Sequence, residues 1–252
     1  MMHVQRYGTG PDVYFGLHGW SGNHLTYAPL VPFLPSSASF YSADLPGYGR
    51  SPRPASWSAD AIGEQVAAEL RNLDAHHVTL VGNCSGAIFG LIAASIEKER
   101  VRRAVLIDPF AFAPWYFKVF VHPLYGRLVY HSTFANPVGR WLTNVSLRHH
   151  HGSDTHLTSS FSEVDHDVSI RYLEMLDAMG PISRFESLDA DVEIIYGERT
   201  FGAVKESVTH WQALWPAARQ WRVAAGHLPI EEATAELAAI LFNTRPPADL
   251  KT

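Results

Sequence analysis

At 252 residues, with 46% apolar and 18% charged side chains, the chain has the length and composition of one large folded domain, which excludes disorder. A formal charge of −5 and a pI near 6.3 leave no basic footprint for nucleic acid or an anionic membrane. A single cysteine excludes an internal disulfide and suits a reducing compartment.

Residues 1–6 lack the apolar run of a signal peptide. The most apolar region, 104–125, is broken by Asp108, Pro109, Pro114, Lys118 and Pro123, which argues against a membrane span. The expectation is a cytoplasmic protein without a membrane or nucleic-acid partner.

In chain order, 13–17 reads as an apolar strand running into His18-Gly19-Trp20-Ser21-Gly22. A second strand over 40–43 ends in Asp44-Leu45-Pro46-Gly47-Tyr48-Gly49-Arg50-Ser51, where Pro46 and two glycines force a compact turn. Ile62, Val66, Leu70 and Leu73 recur at helical spacing, which predicts a helix over 59–73 with Ser58 as its N-cap. The apolar run from Val78 enters Gly82-Asn83-Cys84-Ser85-Gly86, and a helix follows from near Ser85. That pentapeptide is the G-x-S-x-G nucleophile elbow with cysteine in place of serine. Flanking glycines permit a sharp turn. A thiol at a helix N-terminus beside an imidazole is the setting in which the reactive thiolate forms.

A buried strand over 103–107 ends in Asp108-Pro109. Strand–helix alternation then lapses until Asp191, across a segment rich in aromatics such as Phe110, Trp115, Phe117 and Trp141. This predicts a core of 1–108 and 191–252 with a helical cap over 109–190, some of whose aromatics line an apolar pocket. Strands over 192–196 and 220–224, a helix over 204–214 and a closing helix over 230–242 complete the pattern, and the Pro-rich tail from Arg245 reads as loose. Strand and helix in alternation predict a mostly parallel sheet with helices on both faces.

The elbow, the His-Gly loop, the Asp-Leu-Pro-Gly-Tyr-Gly-Arg-Ser turn and the late Gly226-His227 together resemble the α/β-hydrolase fold family over nearly the whole chain. The resemblance implies Cys84 as nucleophile, His227 as general base, and the backbone amides of Trp20 and Ser85 as the oxyanion hole. The family's usual acid position, three residues after the glycine closing the penultimate strand, holds Thr200, which cannot carry a charge. Asp108, after the strand that follows the elbow, is preferred as the acid, and Glu198 is the alternative. Asp-Pro after a strand is also a common turn start.

With cysteine at the elbow, the chain resembles dienelactone hydrolases, polyhydroxyalkanoate synthases and the Dieckmann cyclases whose Cys-Asp-His triad takes its acid from the same place as Asp108. That implies a cofactor-independent enzyme acting on an acyl ester or thioester, carrier-bound or free, by cyclisation or thioester cleavage. Ester or lactone hydrolysis is the alternative, and a non-catalytic ligand-binding relative is the third reading. The run His149-His150-His151 with Asp154 and His156 could suggest a metal, but consecutive histidines do not project to one point on a helix, so no metal is expected.

Overall fold

A computed structural model describes residues 1–243, so the tail expected to be loose lies outside the described residues. Seven strands form one sheet: β1 (Val4–Gly8), β2 (Asp12–Leu17), β3 (Ala38–Ala43), β4 (Val78–Asn83), β5 (Val101–Ile107), β6 (Asp191–Gly197) and β7 (Arg219–Val223). Their spatial order is β1-β3-β2-β4-β5-β6-β7, with β1 antiparallel to β3 and every other pairing parallel. The helices α1 (Ala59–Asn72) and α2 (Ser85–Ile96) flank β4, and α3 (Trp115–Phe120), α4 (Gly126–Tyr130), α5 (Pro137–Ser146) and α6 (His166–Asp177) lie between β5 and β6. After β6 come α7 (Gly202–Leu214), α8 (Pro229–Glu232) and α9 (Thr234–Leu241).

The central strands are apolar on both faces, and their two-residue period sorts neighbours to opposite sides. Leu80, Leu106 and Ile194 join Ile62, Val66 and Leu70 of α1 and Leu91 of α2 in one buried cluster. Val81, Val105 and Ile195 join Leu237 and Leu241 of α9 in another. Ser58 caps α1 as its position predicts, accepting from the Ala61 amide at 3.2 Å. β4 and β5 end side by side, with Asn83 opposite Ile107, and this carries the following residues, Cys84 and Asp108, to the same sheet edge.

Three elements differ from the sequence reading. β1 is an edge strand, VQRYG, with no apolar run to announce it. Residues His24–Phe33 form a 3-10 stretch in which Pro29 and Pro32 interrupt regular helix. The closing helix is broken at Ala233 (φ −129°, ψ 39°), where the Thr234 hydroxyl donates back to the carbonyls of Ile230 and Glu231. No helix among the described residues is long and apolar enough to cross a membrane.

Candidate active site

Cys84 is the single residue between β4 and α2. Its backbone (φ 50°, ψ −117°) lies in a region that side-chain-bearing residues avoid, and its amide is held by the Ile107 carbonyl at 2.8 Å. The turn's strain therefore sits on the cysteine, and the flanking glycines serve close approach instead. A Cβ on Gly86 would come within 2.4 Å of the Leu17 and His18 carbonyl oxygens, and one on Gly82 within 2.4 Å of the Ala87 Cα.

Asp108 repeats the arrangement one strand over. It too has positive φ (46°), and its amide donates to the Ile195 carbonyl at 2.8 Å. Its carboxylate is fully buried. Oδ1 accepts from the Gly197 amide at 2.9 Å; Oδ2 accepts from the Thr200 hydroxyl at 2.6 Å and faces His227 Nδ1 at 2.8 Å. Thr200 Oγ1 is itself 3.1 Å from His227 Nδ1. The residue at the family's usual acid position thus supports the carboxylate that faces the histidine. Glu198 stands apart: its side chain is exposed, lies 3.7 Å from Arg199, and lines a surface groove with Lys205 and Arg222.

His227 is held from several sides. Its amide donates to the His150 carbonyl at 2.7 Å, so the segment between β5 and β6 fixes the histidine's loop. Phe201 and Phe110 pack on the ring, with centroids 4.8 and 5.8 Å away. Burial by itself would lower the imidazole pKa. The hydrogen bond its Nδ1 donates to Asp108, with the proximity and charge of Asp108 and Cys84, outweighs burial and pushes it up to about 10. The imidazolium is therefore the resting form beside the Cys84 sulfur.

The His18-Gly19-Trp20 loop is fixed by side chains whose value the sequence does not reveal. His18 is fully buried, its Nδ1 bonded to the Gly19 carbonyl at 2.8 Å and its Nε2 accepting from the Leu45 amide at 2.9 Å. Desolvation lowers its pKa to about 4, so it is neutral and carries one tautomer. The Trp20 indole donates to the Ser169 carbonyl at 2.9 Å and packs on Phe117, Tyr130, Phe134 and Phe161. It is thus part of the aromatic core of the overlying segment, and the preceding Gly19 lies against the elbow, where a Cβ would come within 3.0 Å of the Cys84 Cβ. The Ser85 amide occupies the first turn of α2, where backbone donors have no helical acceptor.

Beside Ser85 lies an apolar pocket lined by Ile88, Phe110, Phe117, Leu176 and Met179. Tyr116, on the first turn of α3, buries its hydroxyl without a hydrogen-bond partner. Burial first, and the charge of Cys84 second, push that hydroxyl up to about 12, which locates it in the field of the nucleophile position. The His149–His151 run does not converge: His150 Nδ1 meets the Arg199 carbonyl at 3.0 Å, and His151 meets the carbonyls of Gly152 and Asn144. Among the described residues, His3, His24 and Asp44 bring ligand atoms within 4.8 Å of one another. Both Asp44 oxygens, however, already accept from the amides of His24 and Arg50 and contact His24 Nδ1, which makes the cluster an anchor for the 44–51 turn.

Strand-ordered parallel sheet, elbow and buried Asp–His pair are features of one fold class, and the comparison with known proteins agrees. The model of the alpha/beta hydrolase fold family matches residues 16–234, and the chain belongs to that family. It is similar to Lipase LipV of Mycobacterium tuberculosis, 35% identical over 109 residues, covering 43% of this chain and 41% of the relative. It is also similar to the pimeloyl-[acyl-carrier protein] methyl ester esterase of Aeromonas hydrophila, 41% identical over 69 residues, 27% of each chain. Each of these matches spans less than half of the relative. Among solved structures, an esterase from Exiguobacterium antarcticum superposes with a TM-score of 0.79 at 14% identity, covering 96% of this chain and 94% of the other. A lipase-esterase related protein from Clostridium acetobutylicum gives 0.78 at 19% identity, covering 96% and 99%. These two likenesses establish the fold.

Proposed function

We propose that the protein is a cofactor-independent acyl hydrolase that attacks carboxylic esters or thioesters with the Cys84 thiolate, Asp108 and His227 completing its triad. The observation that carries this is the buried Asp108, bonded to His227 Nδ1 at 2.8 Å, with Cys84 close enough to raise the pKa of the same imidazole. The esterase and lipase names of the relatives support hydrolysis as the outcome.

In this reading the thiolate adds to the substrate carbonyl, and the amides of Trp20 and Ser85 donate to the oxyanion. His227, protonated at rest, gives its Nε2 proton to the departing alcohol or thiol, leaving an acyl-thioester on Cys84. Water then loses a proton to His227 and attacks the thioester; the carboxylic acid leaves and the proton returns the pair to its resting form. The apolar crevice at Ser85, about 10 Å³, has room for no more than a methyl-sized group as it stands, so a longer acyl chain requires its lining to part.

A second reading has a carbon nucleophile within the acyl chain, generated by His227, close on the Cys84 thioester in place of water. The thiol itself favours it, because a thioester keeps the acyl group activated for transfer. Carrier-bound acyl groups belong to both readings.

The test is intact-mass analysis after exposure to an activated acyl ester. A single acyl adduct on the wild type, absent from Cys84→Ala, is expected; equal labelling of the two sinks the assignment. Iodoacetamide labelling against pH separates the enzyme from a non-catalytic relative, in which the thiol would titrate near ~8.5.

A further inference from the structure

One residue outside the triad grips the backbone on both sides of His227. Glu232 is the last residue of α8, and its side chain is only 5% exposed. Oε2 accepts from the Gly226 amide at 2.7 Å, on the residue before His227. The Glu232 amide donates to the Leu228 carbonyl at 2.9 Å, on the residue after it. Glu232 thus brackets the stretch of chain that carries the imidazole. That stretch has no slack on its other side. A Cβ on Gly226 would come within 2.2 Å of the His150 carbonyl oxygen, the atom that accepts from the His227 amide.

The support of the acid is tied to the same carboxylate. Glu232 Oε2 lies 3.3 Å from the Arg199 guanidinium, and Arg199 precedes Thr200, whose hydroxyl donates to Asp108 Oδ2. The Arg199 amide also donates to the Ala225 carbonyl at 2.9 Å, which joins the turn and the histidine's loop a second time. Oε1 accepts from the Thr155 hydroxyl at 3.0 Å. The loop that carries the base and the turn that supports the acid are therefore referred to one buried oxygen. A carboxylate bonded to a backbone N–H makes a charge-assisted hydrogen bond, about twice as strong as a neutral one. The charges that raise the His227 pKa are those of Asp108 and Cys84, whereas Glu232 meets the backbone beside that residue, so it acts on where the ring sits. A misplacement of about 1 Å at a catalytic group can cost about 10²-fold in rate. We infer that Glu232 is a positioning residue, whose carboxylate seats the His227 imidazole against Asp108. The inference rests on His227 and Asp108 serving the triad proposed above.

Two measurements on Glu232→Ala and Glu232→Gln test it. The first is an NMR titration of the protein carrying ¹³C-labelled histidine, in which His227→Gln identifies the signal among the 14 histidines. The wild-type imidazole should titrate at about 10. In Glu232→Ala it should titrate lower by about one pH unit or more, because the ring moves off Asp108. The second is hydrolysis of a p-nitrophenyl ester, with rates expressed per Cys84 that acylates so that a misfolded fraction does not count. Here kcat of Glu232→Ala should fall by about 10–10²-fold with KM within about threefold of wild type. Glu232→Gln keeps an acceptor for the Gly226 amide and should stay close to wild type in both. If Glu232→Ala does not fold, Glu232→Asp, whose carboxylate is one methylene shorter, should move both readouts in the same direction. An unshifted His227 titration in the folded variant overturns the inference, whatever its rate, and so does a Glu232→Gln that falls as far as Glu232→Ala. A wild type that does not acylate at Cys84 refutes the triad reading instead, and the titration, which needs no turnover, still decides whether Glu232 seats the ring.

Discussion

Moving the acid back to position 200 is the sharpest test of the site. Asp108→Asn keeps the shape of a fully buried side chain but places an amide where Oδ2 now meets both Thr200 Oγ1 at 2.6 Å and His227 Nδ1 at 2.8 Å. The imidazole loses the acceptor that selects its tautomer and stabilises its charge. Losses on the order of 10³–10⁴ in kcat follow, about 4–5.5 kcal/mol of barrier at 1.36 kcal/mol per tenfold. Adding Thr200→Asp to the Asp108→Asn variant should then return at least about tenfold, about 1.4 kcal/mol. Thr200 Oγ1 is already 3.1 Å from Nδ1, so a carboxylate branching there reaches the same nitrogen. Thr200→Asp alone puts two carboxylates against one imidazole and should lower the melting temperature. The assay is hydrolysis of a p-nitrophenyl ester by all four proteins, each first shown to fold by circular dichroism. If Asp108→Asn stays within about threefold of wild type, Asp108 is not the acid; if the double variant is no better than Asp108→Asn, position 200 cannot replace it.

Three further outcomes are expected. Cys84→Ala should abolish turnover, while Cys84→Ser, whose hydroxyl is a far weaker nucleophile at rest, should fall by about 10² or more; a Cys84→Ser enzyme running at the wild-type rate would leave the thiol without a role. Tyr116→Phe removes a buried, unpartnered hydroxyl near Cys84, so stability should rise or stay level. If that hydroxyl binds the substrate carbonyl, kcat/KM should fall by roughly tenfold, and unchanged kinetics would exclude the contact. The folded-state pKa of His227, about 10, lies above the ordinary 6.5. The ion pair's contribution is therefore whole below about pH 6.5, shrinks as pH rises and is gone above about pH 10. The gap in unfolding free energy between wild type and Asp108→Asn should narrow across that window in denaturant titrations, and a constant gap refutes the pairing.

Much of the fold is legible because its signals are local. The elbow, the strands at 13–17, 103–107 and 192–196, and the Ser58 cap depend on residues within a few positions of one another. What escapes is relational. Nothing near Thr200 tells that its hydroxyl reaches Asp108 across 92 residues of chain. Trp20 counts in sequence only as a backbone donor, and its indole emerges as a tie to Ser169 once that helix lies above it. β1 is short, polar and at the edge, so neither periodicity nor hydrophobicity marks it. α5 lies in the stretch where strand–helix alternation lapses, and which way it faces is decided by the hydrogen bonds of Arg140 and Asn144.

Positive φ at Cys84 and Asp108 (50° and 46°) links these observations. Two side-chain-bearing residues in sparsely populated backbone regions cost of order 1–3 kcal/mol each, so the surroundings must impose them. A chain of hydrogen bonds across the ends of three parallel strands does so. The Cys84 amide is held by Ile107, the residue before Asp108; the Asp108 amide is held by Ile195; and Gly197, at the end of the same strand, donates to the Asp108 carboxylate. Each strand end thereby fixes the residue proposed for the triad at the end of its neighbour. An acid placed after β5 is tied to the nucleophile through one peptide and one hydrogen bond, whereas an acid at position 200 would stand in a turn beyond β6. Substituting the acid's location is thus a change in how rigidly the pair is registered, and the rate recovered by Asp108→Asn/Thr200→Asp measures how much of the site's efficiency that registration supplies.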